Sequence, residues 1–592
     1  MCAERAEPPP PRVPARRPDR RRPRPVTAPA GRASLVSRPG RDLGLGSVGP
    51  VEVECEDGTV RQVDGPLPDD FPLGYHRLRT LDGIEHRLIV SPGRCWLPDE
   101  LREWGWAVQV YALRSAGSWG IGDLADLRAV REWAQSVGAG FLLASPLHSA
   151  GSTLPQEDSP YLPVSRRFLN PIYLRVDEVP GAERVDLAPY EARGRALDAA
   201  DDIDRDAVWQ LKRAALRAVF DAGISENAER WRLGRGEALH GFTTWCAVAE
   251  AYGPDWRDWP DDLQRPDSAG VVRFVAKHAH ELRFHGWLQW ALDAQLRRAT
   301  GEMTVLQDLP VGVDAGGADA WAWQDVLADS VLIGAPPDAF NAAGQNWGSP
   351  PWEPSRLQQA GYEPFVQSVR ATIGESGGIR IDHVMGLFRL WWVPDGEPPA
   401  NGAYVRYPSD DLLDIVALES HRARAIVVGE DLGTVEAGVR AELADRQVLS
   451  YKLLWFEDTD PETWPELSLA AVTTHDLPTV AGVWTRADPV DEFRDRLIAD
   501  TGLDHAASVE EAVRTAHGLL ARAPSMLLSA TLEDAVGAPL RPNVPGTTDP
   551  ANWCRRLPVA VEDLPKQPGA LAIASELGAA VRNEVRRRRP AQ

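Results

Sequence analysis

Over most of this chain short apolar runs alternate with stretches of helical period. Residues 106–113 (Trp-Ala-Val-Gln-Val-Tyr-Ala-Leu) predict a buried strand, 120–134 a helix with Asp123 near its N-cap, and 141–147 the next strand. A mainly helical insertion follows around 165–300, with amphipathic runs at 206–222 and 276–298. Strands are predicted again at 303–309, 331–333, 379–381, 425–428, 448–456, 470–474 and 526–532, with helices such as 412–421 and 435–445 between them. Eight or nine strands alternating with helices predict an α/β fold, a (β/α)8 TIM barrel with helical insertions, rather than an open sheet.

The N-terminal part has a different pattern. Residues 1–45 are rich in Arg and Pro: positions 1–42 carry eleven arginines against four acids, a local charge of 11 − 4 = +7, and predict a disordered extension. Residues 46–98 alternate over short pieces, with Asp57-Gly58 and Asp82-Gly83 as hairpin turns, and predict a small β-rich module that serves as a packing cap or as a carbohydrate-binding appendage. The barrel then occupies 99–592. Residues 336–352 stand out within it as an irregular Gly- and Pro-rich loop whose Phe340, Trp347 and Trp352 can cover a ligand as a lid.

Composition narrows the choice of partner. A formal net charge of -22 disfavours nucleic acid and anionic membrane surfaces, and a neutral partner fits better. Cys2, Cys55, Cys95, Cys246 and Cys554 are scattered without a C-x-x-C pair, which argues against a disulfide framework or a zinc cage and suits a reducing compartment. No run of eighteen apolar residues and no signal-peptide core is present, so a cytoplasmic location is expected. The twenty-two tryptophans are a high load; their faces suit sugar rings, although large cores also use them. No glycine-rich nucleotide loop occurs, and no cofactor is called for.

The polar exceptions to the apolar pattern carry the chemistry. The stretch 377–394 is apolar except where Arg380, Asp382 and His383 interrupt it, and burying such groups costs several kcal/mol unless they pair. Alone, this describes a structural ion pair as well as it describes a reacting site. Three further acids end predicted strands, however: Asp308, Glu430 and Asp476. On parallel strands of one barrel all four carboxylates would project into one mouth, where like-charge repulsion is tolerated if the chemistry uses it. Clustered carboxylates also hold divalent metals, but His383 and His475 each adjoin a single acid rather than forming a ligand run, which favours a neutral organic ligand over a metal.

At these residues the chain resembles the 4-α-glucanotransferases of the amylomaltase, or disproportionating enzyme, family in the wider α-amylase clan. The resemblance runs from about 97 to 557 through Ser118-Trp-Gly-Ile-Gly-Asp, Ser159-Pro-Tyr, Arg167-Phe-Leu-Asn-Pro, Asp308-Leu-Pro, Gly334-Ala-Pro-Pro-Asp, Gly344-Gln-Asn-Trp-Gly, Arg380-Ile-Asp-His, Gly429-Glu-Asp-Leu-Gly, Thr474-His-Asp and Asn543-Val-Pro-Gly-Thr-Thr. It implies Asp382 as nucleophile, Glu430 as general acid/base and Asp476 as the acid that grips the distorted sugar, with no metal. It also implies Tyr161, Asp308, Asp338, Trp347, Arg380, His475 and Asn543 around the bound glucan, Asp308 and Asn543 having loop geometry as their alternative role. The partners it implies are maltodextrins and starch- or glycogen-derived α-1,4-glucans. Cys554 departs from the basic residue the family pattern leads one to expect, though Arg555 and Arg556 follow it. A hydrolase of the same clan would carry the same three acids.

Overall fold

A computed structural model describes residues 34–43, 49–337, 341–433, 435–547 and 549–588, with side chains to 583. Eight parallel strands form one sheet: β1 Glu103–Val108, β2 Phe141–Ala144, β3 Thr304–Leu309, β4 Gly377–Ile381, β5 Ile426–Gly429, β6 Ser450–Leu453, β7 Ser468–Ala471 and β8 Leu527–Thr531. Their spatial order is β5-β4-β3-β2-β1-β8-β7-β6. Reciprocal bonds between the ends of β5 and β6, Gly429 N to Leu449 O (2.8 Å) and Leu449 N to Val427 O (2.9 Å), close the ring. This is the expected (β/α)8 barrel.

These strands are apolar on both faces because helices cover the outside and side chains fill the inside. Phe141, Leu143, Leu306, Ile426, Val428, Tyr451, Leu453, Leu469 and Leu527 share the inner cluster, while Leu142, Val305, Ile379, Val427 and Ala470 pack outward. Since side chains alternate across a strand, inward parity carries Leu306 to Asp308, Gly378 through Arg380 to Asp382, and Ile426 through Val428 to Glu430. The polar interruptions in the sequence thus fall on the inner face at the carboxyl ends of the strands.

Of the nine strands predicted from the sequence, one is not in the barrel. Val331–Ala335 belongs to a four-stranded antiparallel sheet with Gln345–Asn346, Arg389–Pro394 and Ala403–Arg406. The apolar run at 377–394 is accordingly two strands of different sheets, separated by a 3-10 turn at Val384–Leu387. In the first barrel unit the strand ends earlier than its apolar run, since Val110–Ala112 form a 3-10 turn. Asp123 caps the following helix, Leu124–Ser136, in a capping box with Asp126.

The insertion between β2 and β3 is helical as expected, although the run read as one helix is two, Ala269–Lys277 and Ala279–Thr300, broken at His278. The N-terminal module is a five-stranded sheet whose turns hold Gly58 and Gly83 at positive φ, as the Asp-Gly pairs predict. It also takes in Leu35–Ser37, parallel to Glu85–Val90, from within the stretch assigned to a disordered extension; residues 1–33 and 44–45 of that stretch lie outside the described residues. The module seats on the helix Ser409–Ala423, with Tyr75 OH donating to Glu419 (2.6 Å) and both Arg38 and Arg446 bonded to Asp414. Arg422 on the same helix pairs with Glu56, and Arg87 pairs with Glu363 on a neighbouring helix.

Candidate active site

Register brings the acids together. Asp308 on β3 lies opposite Arg380 on β4, and Arg380 opposite Val428 on β5. Nη1 of Arg380 donates to both oxygens of Asp308 (2.7 and 2.8 Å) and to Oδ1 of Asp382 (3.0 Å). One guanidinium, only 5% exposed, therefore bridges two carboxylates. The Asp382 carboxyl is more open, at 21%. Burial pushes it up to about 6, with Arg380 opposing and Asp308 and Glu430 adding to the rise.

Glu430 is placed by the main chain. Its N–H donates to Ile381 O (3.0 Å), while His383 N donates to Oε2 (2.9 Å) and Leu432 N to Oε1 (2.7 Å). The chain turns sharply to supply the first of these: His383 has φ +46, in the left-handed region that non-glycine residues avoid. A methyl group on Gly429 would stand 2.9 Å from Val384, whose N–H donates to Glu430 O, so glycine is needed where this turn crosses β5. Burial raises the Glu430 carboxyl, tempered by Arg380 and the two backbone bonds.

Asp476 follows β7 on a loop. Asn543 Nδ2 donates to its Oδ1 (2.7 Å), His475 Nε2 lies 3.4 Å from its Oδ2, and Arg541 Nη1 bonds its carbonyl (2.9 Å). Burial works to raise this carboxyl, but His475 and Asn543 outweigh it and hold it below the usual range. His475 stacks on Tyr161 with centroids 4.9 Å apart, and Trp553 tilts against both rings at 5.3 Å. The Tyr161 hydroxyl donates to Oδ2 of Asp308 (2.7 Å).

A cleft of about 910 Å³ opens above these groups, within the range of small-ligand sites. Tyr161, Trp347, Arg380, Asp382, Glu430, His475, Asp476 and Asn543 all line it. Asp308 instead lies beneath, buried under Arg380 and Tyr161. Trp347 presents its ring edge-on to His383 at 5.3 Å. Of the loop 336–352, the part at Gln345–Asn346 pairs with Val331–Ala335, and Trp352 packs into apolar clusters away from the cleft. Asp338 and Phe340 lie outside the described residues. Trp391 and Trp392, in the antiparallel sheet, serve packing, Trp391 against Tyr404.

Arg541 and Trp553 were not marked by the sequence reading: they sit in loops after β8 with no local period. Glu533, two residues beyond β8, carries the same signal as the other acids at strand ends and was missed. Beside Cys554, Arg205 from the insertion approaches the thiol at 3.6 Å. Among the described residues no group of three or more His, Cys, Asp or Glu side chains is disposed to hold a metal ion; the site's acids are bonded to Arg380, Asn543 and backbone N–H groups.

A (β/α)8 barrel with paired carboxyls at the mouth of one large cleft defines an enzyme of the glycoside hydrolase kind. The sequence profile of the 4-alpha-glucanotransferase family matches residues 108–561, and the chain belongs to that family. It is 44% identical to the 4-alpha-glucanotransferase of Mycobacterium tuberculosis, covering 90% of this chain and 86% of that one. It is 31% identical to the 4-alpha-glucanotransferase of Haemophilus influenzae, covering 82% and 81%. Among solved structures, the amylomaltase from Corynebacterium glutamicum superposes with a TM-score of 0.82 at 32% identity, over 93% of this chain and 90% of that one.

Proposed function

We propose that this 4-α-glucanotransferase moves α-1,4-glucan segments from maltodextrin donors to glucose or maltodextrin acceptors by a retaining double displacement. Asp382 is the nucleophile, Glu430 the acid/base and Asp476 the acid that holds the donor sugar. The observation that carries this reading is the contrast between neighbouring strand ends: Asp382 is held by a cation, Glu430 by backbone N–H groups only. In the first step Glu430 gives its proton to the leaving glycosidic oxygen as Asp382 forms a bond to the anomeric carbon. In the second, Glu430 takes the proton of an acceptor 4-hydroxyl, that oxygen replaces Asp382, and the α-1,4 linkage is restored. Asp476, kept ionised by His475 and Asn543, accepts hydrogen bonds from the hydroxyls of the distorted donor ring. Tyr161, Trp347, Arg380 and Asn543 shape and charge the cleft around it, while Asp308 acts from beneath by fixing Arg380.

Transfer requires that a sugar hydroxyl reach the intermediate in place of water. Gly344–Trp347 and Asn543–Thr547 both line the cleft and supply walls for an acceptor chain. The test is incubation of the purified protein with maltotriose, followed by chromatography. Glucose together with a ladder of longer maltodextrins is the expected result; glucose and maltose alone would make the enzyme a hydrolase.

A further inference from the structure

A second cleft, of about 550 Å³, is lined by the insertion helices Gly236–Tyr252 and Ala279–Thr300 and by the barrel helix Glu363–Ile373. It has the volume of a small-ligand site and shares no lining residue with the catalytic cleft. Gln307 lines it from β3, one residue before the inward-facing Asp308 and so from the outer face of the barrel. Phe168, Leu239 and Leu296 give it apolar walls, and Phe168 is fixed by stacking on Phe242 with centroids 4.3 Å apart.

Its charge balance sets it apart. Five arginines and three acids line it, in a chain whose net charge is -22. Four of the arginines have carboxylate partners: Arg167 pairs with Asp319 (2.9 Å), Arg235 with Asp293 (3.3 Å), Arg297 with Glu375 (3.2 Å) and Arg370 with Glu419 (2.8 Å). Arg166 is bonded only to carbonyls. Its Nη1 donates to Pro310 O (3.0 Å) and Val311 O (2.8 Å), and its Nε is buried with no hydrogen-bond partner. Asp319, the acid whose charge it feels, spends Oδ1 on Ser165 and Arg167 and Oδ2 on the main-chain N–H of Arg166. Burial accordingly pushes this guanidinium down to about 10, further than Asp319 restores it. His148, also in the lining, is pushed down to about 4 by burial and by the Arg166 charge, so it adds no charge of its own at neutral pH.

A buried cation without a carboxylate partner is a costly arrangement that a bound anion relieves. We propose that this cleft is a second binding site, for a small organic anion that turns one carboxylate or phosphate group to Arg166 and lays an apolar body against Phe168, Leu239 and Leu296. A guanidinium suits either head group, and the walls select for the body.

The experiment is titration of the purified protein with benzoate and with phenyl phosphate, followed by ligand-observed NMR, with benzyl alcohol as the uncharged analogue. One or both anions are expected to bind with a dissociation constant of about 1 mM or below, at least about tenfold tighter than benzyl alcohol; the tighter of the two identifies the head group. Arg166→Met should weaken binding by about tenfold or more. Because Arg166 also braces Pro310 and Val311, a second variant separates binding from bracing: Ala371→Trp fills the cleft from the barrel helix and should abolish binding, with maltotriose transfer at the wild-type rate as the check that it is folded. Binding of neither anion, equal binding of benzyl alcohol, or binding that survives Ala371→Trp or is unchanged in Arg166→Met overturns the proposal.

Discussion

Asp382→Asn should abolish transfer and yet raise stability above about pH 6. Asp382 is a partly buried carboxyl that shares Arg380 with Asp308, and its environment moves it from 3.8 to about 6. A group raised on folding contributes stability that is complete below its unfolded value and lost as pH climbs through its folded value. The roughly two-unit rise corresponds to about 3 kcal/mol lost by pH 8. Asparagine mimics the protonated acid and avoids that loss; the pull of Arg380 on the charged form is already contained in the net rise. The gain is about 3 kcal/mol. With an unfolding entropy of about 2 cal/mol/K per residue over 592 residues, the melting temperature rises by about 2–3 °C at pH 8 and is unchanged near pH 4. Scanning calorimetry of both proteins across that range measures the difference, and maltotriose transfer is followed in parallel, with a fall of about three orders of magnitude or more expected. A variant less stable than wild type at pH 8 would refute the reasoning, because Asp382 would then be a stabilising ion-pair partner rather than a carboxylate held at a cost.

Three other substitutions probe the neighbours. Glu430→Gln removes the proton donor, so maltotriose transfer falls by about 10²- to 10⁴-fold, whereas fluoride release from α-glucosyl fluoride, whose leaving group needs no proton, persists; equal loss of both would remove Glu430 from the acid role. Arg380→Met leaves Asp308 buried without its cation and costs about 3–5 kcal/mol, a fall of about 3 °C or more in the calorimetric melting temperature at pH 7; an unchanged melting temperature would show that the pairing is not structural. Asn543→Ala deletes one hydrogen bond to Asp476, worth about 1.5–3 kcal/mol, so the melting temperature falls by about 1–3 °C while kcat/KM for maltotriose, measured well below it, drops about 10- to 100-fold, and a drop confined to KM would place Asn543 in ground-state binding instead.

Barrel strands were legible because a parallel barrel buries both faces of every strand, which leaves near-continuous apolar runs. The run at 331–333 was legible as a strand but not as to its sheet, since its partners Arg389–Pro394 and Gln345–Asn346 are set by long-range pairing. Leu35–Ser37 was hidden by the Arg- and Pro-rich residues around it: three residues make too short a period, and the strand is held by its pairing with Glu85–Val90. Asp308, Asp382 and Glu430 were legible because they end strands, whereas Glu533 carries the same signal and was missed. The supports of these acids were not legible. Leu432 N, His383 N and Arg541 reach the acids from turns and loops, and no local pattern specifies where such groups arrive; Asn543 was named through the family resemblance, but its bond to Asp476 was not.

The proposed division of labour between Asp382 and Glu430 rests on what each strand end has beside it. Both acids stand two residues beyond an inward-facing position, both are buried, and burial pushes both upward. What separates them is the kind of positive partner. Arg380 offers Asp382 a full charge that stays in place when substrate arrives, because Asp308 and Tyr161 fix it from below. Glu430 accepts hydrogen bonds from main-chain N–H groups, at a strained turn at His383 and at Leu432, and the Arg380 charge also lowers it. A glucan that fills the cleft displaces water from both carboxyls, and desolvation then acts against a hydrogen-bonded ion pair at Asp382 and against main-chain hydrogen bonds and the field of Arg380 at Glu430. The proposed mechanism needs the proton on Glu430 and the negative charge on Asp382 in its first step, and the guanidinium hydrogen-bonded to Asp382 supports that distribution.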